Sequence, residues 1–355
     1  MFEDLIDDTG RFMAETMDRM LETHCTAAVR HAADGGTWPQ AVWDAVTGAG
    51  FDRATLSEAQ GGVGLTLAEA LPLVAVASRH AAPVPLAEVL VAGHLLGSAG
   101  LAAPEGLVTV AAGADATLTP NGAGWVLTAT LASVPWGARA DHLVLAARSP
   151  DGEKLCLVSR QDWQAEPGRN LANEPRDRLV IDAALDPARI VPMPDGADTI
   201  FRLMALARAV QIAGALARVR DMTIAYAQER VQFGRPLGKF QAIQQTIAVL
   251  ASDAAAAEAA AGIGLKCPGD PLAVAVAKAR AGEAAGRAAG IAHQVHGAMG
   301  FTQEHPLHFL TRRIWAWRDE CGNERHWSTV LGGALLMHEP DTLWHALTDI
   351  GNQAA

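Results

Sequence analysis

The chain has 355 residues, of which 50% are hydrophobic, and it carries a formal net charge of −11 at pH 7. This acidic balance disfavours nucleic acid as a partner, no uninterrupted apolar run is long enough to span a membrane, and the 4 cysteines lack the paired spacing of a zinc site or a disulfide framework. The start of the chain also lacks the basic and apolar regions of a signal peptide, so we expect a cytoplasmic protein of two or three domains.

Residues 1–107 are predicted to form an N-terminal helical domain. Apolar residues recur at helical spacing in DDTGRFMAETMDRMLETHC, with Asp7, Asp8 and Thr9 as candidate caps. The segment QAVWDAVTGAGF predicts a short helix that a glycine ends. A further helix follows a glycine-rich turn, and Thr66 with Glu69 fits a capping box at its start.

Residues 108–199 have a different residue pattern and are predicted to form the middle domain. Short β-type runs alternate with turn-rich segments such as TPNGAG, SPDGE and EPGRNLANEPRD. The runs are LVTVAAG, GWVLTATLASV, DHLVLAAR, EKLCLVS and RLVIDAAL. This pattern predicts a small antiparallel sheet.

Residues 200–355 are again helical and rich in small residues, as in ALARAVQIAGALARVRDMTIAYAQER. High helix propensity and close packing in a bundle account for most of the alanine. One polar, sharply punctuated stretch, ERVQFGRPLGKFQAIQQ at residues 229–245, separates two of these helices. A simple connection would not need so many polar groups, which suggests a binding role.

Along nearly its whole length the chain resembles the acyl-CoA dehydrogenase family, and in particular the shorter, divergent subunits of its heteromeric α2β2 members. Four motifs carry the resemblance: LSEAQGGVGLTLAEA, ARADHLVLAAR, YAQERVQFGRPLGKFQAIQQTIAVLASD and HQVHGAMGFTQEHPLHFLTRRIWAWRDECGNE. The resemblance implies an α+β, mostly α fold with an N-terminal helical domain, a small middle β-barrel and a C-terminal four-helix bundle. It also implies a homo- or hetero-oligomer, a dimer of dimers, with FAD at the subunit boundary.

Within the resemblance, the polar stretch at residues 229–245 has the most specific implied role, which is to bind FAD. In the family this segment reaches the FAD of a neighbouring subunit, so Arg230 would pair with the pyrophosphate through its planar guanidinium. Gln232 and Gln241 would donate hydrogen bonds to the dinucleotide, and Phe233 and Phe240 would pack beside its adenine half. From the residues alone, a capped loop with solvated charges is the alternative.

A second FAD contact is implied by the motif QVHGAMG. Gln294, Gly297 and Ala298 match family residues that approach the pyrophosphate of the partner's flavin, where small residues let the backbone come close. The family commonly has another glycine in place of Ala298. Small residues at a helix end also form an ordinary C-terminal stop, which is the alternative.

The histidines of this region raise the question of a metal site. His293 and His296 stand three residues apart, as do His305 and His308. Glycines and Pro306 between the pairs break the segment into two helices, and typical ligand spacing is missing. We therefore expect no metal.

The middle domain departs from the family where the flavin ring should bind. The family's Trp-Ile-Thr run is replaced by Ser133, Val134 and Pro135, and Trp136 follows immediately. Proline has no backbone N–H, so one donor to the ring system is absent. This half of the flavin site is therefore expected to be weak.

The catalytic base is also displaced. Counting from a family proline matched by Pro306, the usual glutamate would fall on Cys321, just after Asp319 and Glu320. Some members take the base from the helix before the Arg230 motif, but residues 200–220 contain no Asp or Glu. Glu320 is therefore the leading candidate and Asp319 the second. The alternative is that these acids form ion pairs with Arg312, Arg313, Arg318 and Arg325.

The resemblance implies FAD-dependent α,β-dehydrogenation of an acyl-CoA thioester in fatty acid or steroid catabolism, with electrons passed to an electron-transfer flavoprotein. The departures leave a first alternative open, a non-catalytic or half-site partner subunit of a heteromeric acyl-CoA dehydrogenase, such as one acting on steroid side-chain thioesters. A second alternative is a flavin oxidase or monooxygenase on the same fold.

Overall fold

The structure is a computed structural model that describes residue 2 and residues 5–112, 115–122, 124–337, 339 and 342–350. The outer ends of the predicted first and third domains, residue 1 and residues 351–355, lie outside the described residues. The N-terminal part is helical, as predicted. Its helices are α1 (Asp8–His24), α2 (Ala27–Asp34), α3 (Gln40–Gly48), α4 (Leu67–Arg79) and α5 (Leu86–Ser98).

Of the three candidate caps of the first helix Asp7 is confirmed, whereas Asp8 and Thr9 lie within α1; the capping box of α4 is confirmed as well. Asp7 caps α1 by accepting a 2.7 Å hydrogen bond from the N–H of Gly10. Thr66 and Glu69 form the predicted capping box at the start of α4, where each side chain accepts from the other residue's backbone N–H. These three bonds satisfy N–H groups that have no partner within the helix at its start.

An eight-stranded sheet follows. Its strands are β1 (Val108–Val110), β2 (Ala116–Asn121), β3 (Gly124–Pro135), β4 (His142–Ser149), β5 (Gly152–Ser159), β6 (Trp163–Glu166), β7 (Arg176–Leu185) and β8 (Ile190–Pro192). The order is β6-β7-β3-β2-β4-β5-β8, with β1 pairing with β4. The five predicted strands are confirmed, whereas β2, β6 and β8 were not predicted because each is too short or too polar to show a clear alternation.

Most strand pairs are antiparallel, as predicted, but β1 and β2 both pair with β4 in parallel. The pairing of β3 with β7 shifts register between Leu131 and Val134, and Ser133 in between has a φ of 57°. Such a bulge bends the strand and turns its side chains away from the regular alternation. The end of β3 is thereby directed toward the C-terminal helices.

The C-terminal part is a helical bundle. Its helices are α6 (Gly196–Glu229), α7 (Gln241–Lys266), α8 (Pro271–His296), α9 (Leu307–Asp319), α10 (Glu324–Leu335) and α11 (Leu343–Asp349). Helix α6 begins before the predicted boundary at residue 199, and the division into three domains stays a prediction. The predicted α+β, mostly α fold class is confirmed.

Helix α6 is the central helix and packs against α4, α7, α8 and α9. A Cβ at Gly214 would collide with the backbone of Ala75 on α4, so these two helices touch backbone to backbone. Only small residues permit such an approach, which explains the alanine and glycine content. By length and apolar composition α6 and α7 would each suffice to cross a membrane, but the apolar window of α6 is 89% buried inside the molecule and that of α7 39%.

Candidate functional site

The polar stretch after α6 forms a tight hairpin. Strands β9 (Val231–Gln232) and β10 (Arg235–Pro236) pair antiparallel, and Phe233 and Gly234 join them with φ angles of 53° and 78°. Two consecutive positive φ angles are typical of the two-residue turns that match the twist of a hairpin. The predicted reversal at this position is confirmed, and α7 begins directly after it.

The hairpin side chains face solvent. Phe233 is 91% exposed, and its ring lies edge-on to that of Phe240 at 6.2 Å between centroids. Exposing a phenylalanine costs about 1.5–3 kcal/mol relative to burying it. Arg230 is exposed and forms no ion pair with any residue that the structure describes. Gln232 and Gln241 are exposed too, so the candidate FAD groups are free to contact a partner or ligand.

The second candidate FAD segment lies at the end of α8. Gln294, Gly297 and Ala298 are exposed. Gly297 ends the helix with φ 59° and ψ −142°, a conformation that favours glycine, and no described atom lies within 4 Å of the position of a Cβ there. The backbone of this segment is therefore open to close approach.

One contact joins the two segments. The hydroxyl of Tyr226, one helical turn before Arg230, donates a 3.3 Å hydrogen bond to the carbonyl of His296, next to Gly297. The Tyr226 and His296 rings also stack, with centroids 4.5 Å apart. The ends of α6 and α8 are thus packed together, and both predicted FAD segments lie at the same end of the bundle.

A cleft of about 590 Å³ lies between the sheet and the bundle. It is lined by residues 110–112 and 130–135 of the sheet, and by residues of α6 and of the end of α9. Its size is within the range of small-molecule sites. Both candidate bases, Asp319 and Glu320, lie in its wall.

Glu320 is held firmly in that wall by two arginines. Its Oε1 accepts hydrogen bonds from Arg176 Nε at 2.8 Å and Asn170 Nδ2 at 2.9 Å. Its Oε2 accepts from Arg176 Nη2 at 3.0 Å and forms an ion pair with Arg208 Nε at 2.7 Å. These arginines come from β7 and α6, not from the neighbouring arginines that the sequence suggested as partners.

The ion pairs continue on both sides of Glu320. Arg208 Nη2 lies 2.6 Å from Glu88 Oε1 on α5, and Arg176 Nη2 lies 3.2 Å from Glu174 Oε2. The other carboxylate oxygen of Glu174, Oε1, forms an ion pair with Arg313 Nε on α9 at 3.2 Å. Three carboxylates and three guanidinium groups therefore alternate in a mostly buried row. We call this row the Glu320 network; its members in order are Glu88, Arg208, Glu320, Arg176, Glu174 and Arg313. The Glu320 network connects the N-terminal helices, the sheet and the bundle.

The network decides the protonation of Glu320. Burial alone would raise its pKa, but the charges of Arg176 and Arg208 outweigh burial and lower the pKa from 4.5 to about 2. A carboxylate with so low a pKa is a weak proton acceptor near neutral pH. Asp319 differs, because its side chain is exposed in the cleft and forms no hydrogen bond or ion pair with a described residue.

The turn that carries these acids is fixed from α8. Lys278 is fully buried, and its Nζ donates 2.6 Å hydrogen bonds to the carbonyls of Arg318 and Gly322. Burial lowers the pKa of Lys278 to about 8. Cys321, between these carbonyls, has a φ of 53°, which is uncommon for a residue with a Cβ. The positions of Asp319 and Glu320 are therefore set by packing against α8.

The sheet side of the cleft contains the predicted departures. Ser133, Val134 and Pro135 all line it, and the carbonyl of Pro135 already accepts a 2.5 Å hydrogen bond from Thr109 Oγ1. Pro135 supplies no N–H there. The residues present thus fit the pyrophosphate end of FAD, where exposed donors and open glycine backbone meet, better than they fit its ring system.

Of the four histidines between residues 293 and 308, His293 and His296 are buried at the end of the bundle, and His305 and His308 are partly buried. His293 Nε2 lies 2.9 Å from Thr311 Oγ1, and His296 Nδ1 donates to the carbonyl of Ala292 at 2.8 Å. Burial lowers the pKa of His293 and His296, and likewise of His305 and His308. Among the described residues, no three His, Cys, Asp or Glu side chains converge to hold a metal ion.

The sequence did not point to Arg176, Arg208 or Lys278. A signal was present for Arg208, the single charged residue in the apolar, alanine-rich stretch 203–217, where a charge must find a buried partner. No such signal marks Arg176, because it follows a turn-rich segment where exposed charge is common.

Comparison with known proteins gives consistent matches. The family described as acyl-CoA dehydrogenase, C-terminal domain, matches residues 195–321. Acyl-CoA dehydrogenase IpdE2 of Mycolicibacterium smegmatis is 30% identical over 315 residues, which cover 87% of this chain and 93% of that protein.

Solved structures match over nearly the full length. The ChsE4-ChsE5 complex from Mycobacterium tuberculosis has a TM-score of 0.86 at 24% identity and covers 94% of this chain and 98% of the matched chain. A Tcur3481-Tcur3483 steroid ACAD variant has a TM-score of 0.83 at 26% identity, with 93% and 98% covered. At 24% identity, the similarity to the ChsE4-ChsE5 complex shows a shared fold and no more.

Proposed function

This chain belongs to the acyl-CoA dehydrogenase family, and on that premise we propose that it is a subunit of an FAD-dependent enzyme that dehydrogenates the α,β bond of an acyl-CoA thioester. FAD, when bound, supplies the hydride acceptor. Electrons then pass to an electron-transfer flavoprotein. Fatty acyl and steroid side-chain thioesters are the substrate classes included in this proposal.

The observation that carries the proposal is the joining of two exposed segments at one end of the bundle. Tyr226 packs the end of α6 against the end of α8, and Arg230 and Gln294 are exposed near these two helix ends. A guanidinium and an amide beside open glycine backbone form a surface that suits a pyrophosphate. The high exposure of Phe233 supports the view that another subunit completes this site.

We therefore propose that the working form is an oligomer, a dimer of dimers, in the cytoplasm. In it Arg230, Gln232 and Gln241 would hold the dinucleotide of a neighbouring subunit, with Phe233 and Phe240 beside the adenine. Gln294, Gly297 and Ala298 would complete the pyrophosphate contact.

Within the cleft, the chemistry requires a carboxylate that removes the α-proton of the thioester. Asp319 and Glu320 are the candidates on this chain. Asp319 is the more available of the two because both carboxylate oxygens of Glu320 are engaged by Arg176 and Arg208. Proton uptake by Glu320 would weaken both of its ion pairs, whereas Asp319 has no such contact with a described residue to lose.

A second candidate function is favoured by the same observation. In a half-site subunit, the base and the flavin ring would belong to a homologous partner chain, while this chain would donate the Arg230 and Gln294 surface. The Glu320 network and the missing N–H at Pro135 support this role. The heteromeric structure among the matches is compatible with it.

Purification of the chain alone, and together with any co-purifying homologous chain, tests the proposal. We expect bound FAD at a fixed flavin-to-chain ratio, and acyl-CoA-dependent reduction of an artificial electron acceptor in at least one preparation. The catalytic role predicts that Asp319→Asn reduces turnover roughly a hundredfold or more. A loss of turnover in Glu320→Gln counts as catalytic only if urea denaturation shows the variant to be folded under the assay conditions. The half-site role predicts activity only with the partner chain and no such loss. Absence of flavin and of activity in both preparations would contradict both roles.

A further inference from the structure

A second cavity, of about 220 Å³, lies between the α2–α3 connection and the sheet. Among the described residues, Arg169 is the one that lines both this cavity and the larger cleft. The second cavity is therefore a separate space with its own chemistry, and we call it the tryptophan cavity after Trp38 and Trp136.

The walls of the tryptophan cavity are flat and rigid. The rings of Trp38 and Trp136 meet edge to face with centroids 5.5 Å apart. Proline rings form much of the remaining wall, from Pro39, Pro83, Pro167 and Pro175. Aromatic and proline faces favour contact with another flat ring, and the volume is below that of a typical drug-sized site. A ligand of one ring or two fused rings suits this space.

The acidic side chains around the cavity already have partners. Asp34 forms an ion pair with Arg312, and Glu174 pairs with Arg313 at 3.2 Å. Asp177 accepts hydrogen bonds from backbone N–H groups on both of its oxygens, at 2.7 and 3.1 Å. Their negative charges are thus offset or engaged within the protein.

The two exposed arginines of the cavity are different. Arg139 and Arg169 form no ion pair with a carboxylate in the part of the chain that the structure describes. The guanidinium carbon of Arg139 lies 4.5 Å from the centroid of the Trp38 ring, and the side chain of Arg139 donates no hydrogen bond to a residue that the structure describes. Arg169 uses Nη1 for the carbonyl of Asp34 at 2.8 Å. The rim of the cavity therefore presents two guanidinium groups that have no carboxylate partner among the described residues.

We propose that the tryptophan cavity binds a small aromatic carboxylate. The ring lies against Trp38, Trp136 and the prolines, and the carboxylate pairs with Arg139 and Arg169 at the rim. Arginine suits this role because its planar donors match the two oxygens of a carboxylate while its face stays stacked on an aromatic ring. This site does not depend on the proposed function, because it uses neither Asp319 nor the Arg230 surface.

The test uses p-fluorobenzoate, titrated into the full chain and followed by its fluorine NMR signal. p-Fluorobenzylamine provides a ring without the negative charge, and inorganic phosphate provides negative charge without a ring. We expect saturable binding of p-fluorobenzoate only. Arg139→Gln and Arg169→Gln should each weaken it by on the order of tenfold, as loss of a charge-assisted hydrogen bond does. Arg325→Gln, an exposed arginine on α10, is the matched control and should leave binding unchanged.

Three results would overturn the proposal. The first is no saturable binding of p-fluorobenzoate. The second is equally strong binding of p-fluorobenzylamine, or displacement by phosphate at equal concentration, since either would remove the need for both ring and charge. The third is an equal effect of all three arginine variants, which would indicate a general charge effect.

Discussion

Arg176 donates two hydrogen bonds to Glu320, from Nε to Oε1 at 2.8 Å and from Nη2 to Oε2 at 3.0 Å. The contact joins the first residue of β7 to the residue that follows α9. A bidentate guanidinium–carboxylate pair requires the ionised carboxylate. The position that the sequence favoured for a proton acceptor is therefore occupied by a group that stabilises the fold in its charged form.

Glu320→Gln should lower the free energy of unfolding by about 3 kcal/mol or more, because removing one partner of a buried ion pair leaves the other charges uncompensated. Urea denaturation of the purified protein measures this change. Glu283→Gln is the matched control: its carboxylate pairs with Arg280 but is 53% exposed, and the loss should stay below about 1 kcal/mol. Equal losses in the two variants would show that the Glu320 network contributes little.

The free energy of unfolding in acid should also depend on Glu320. The pKa of Glu320 is lowered to about 2 in the folded chain, from 4.5. Its contribution is therefore complete above pH 4.5 and is lost as the pH falls from 4.5 toward 2. The free energy of unfolding, measured between about pH 6 and pH 3, should fall less steeply in Glu320→Gln than in the parent. Parallel curves would contradict the assigned pKa.

Much of the fold was predictable because local signals agreed with the tertiary structure. The capping box at Thr66, the hairpin at Gly234 and the break before α9 each follow from residue types with one strong conformational preference. Strands β6 and β8 were missed because a short edge strand is stabilised by its neighbours rather than by its own pattern.

The candidate site was predictable only in part. The Arg230 segment and the segment at Gln294 are each recognisable along the sequence, but their contact through Tyr226 is a property of the packed bundle. The partners of Glu320 lie 144 residues away at Arg176 and, on α6, at Arg208. No local pattern specifies pairs so distant, so the change of role suggested for Glu320 needed the structure.

The buried histidines at the bundle end predict a second pH dependence. Burial lowers the pKa of His293 and His296, so the folded chain favours their neutral forms. The unfolded chain takes up protons first, and stability is complete above pH 6.5 and declines as the pH falls below it. The double variant His293→Gln/His296→Gln should show a smaller difference in unfolding free energy between about pH 7.5 and pH 5.5. A difference as large as in the parent would assign the effect to other groups.

The most direct test of the account is the affinity of the assembled protein for FAD when Arg230 is changed to alanine. Losing a charge-assisted contact to the pyrophosphate should cost about 1.5–3 kcal/mol, a rise in Kd of roughly ten- to a hundredfold. Lys239→Ala removes the same charge from the same exposed segment and should change the Kd by less than about threefold. If instead both variants retain FAD as the parent does, or lose it to the same extent, the hairpin after α6 does not hold the cofactor.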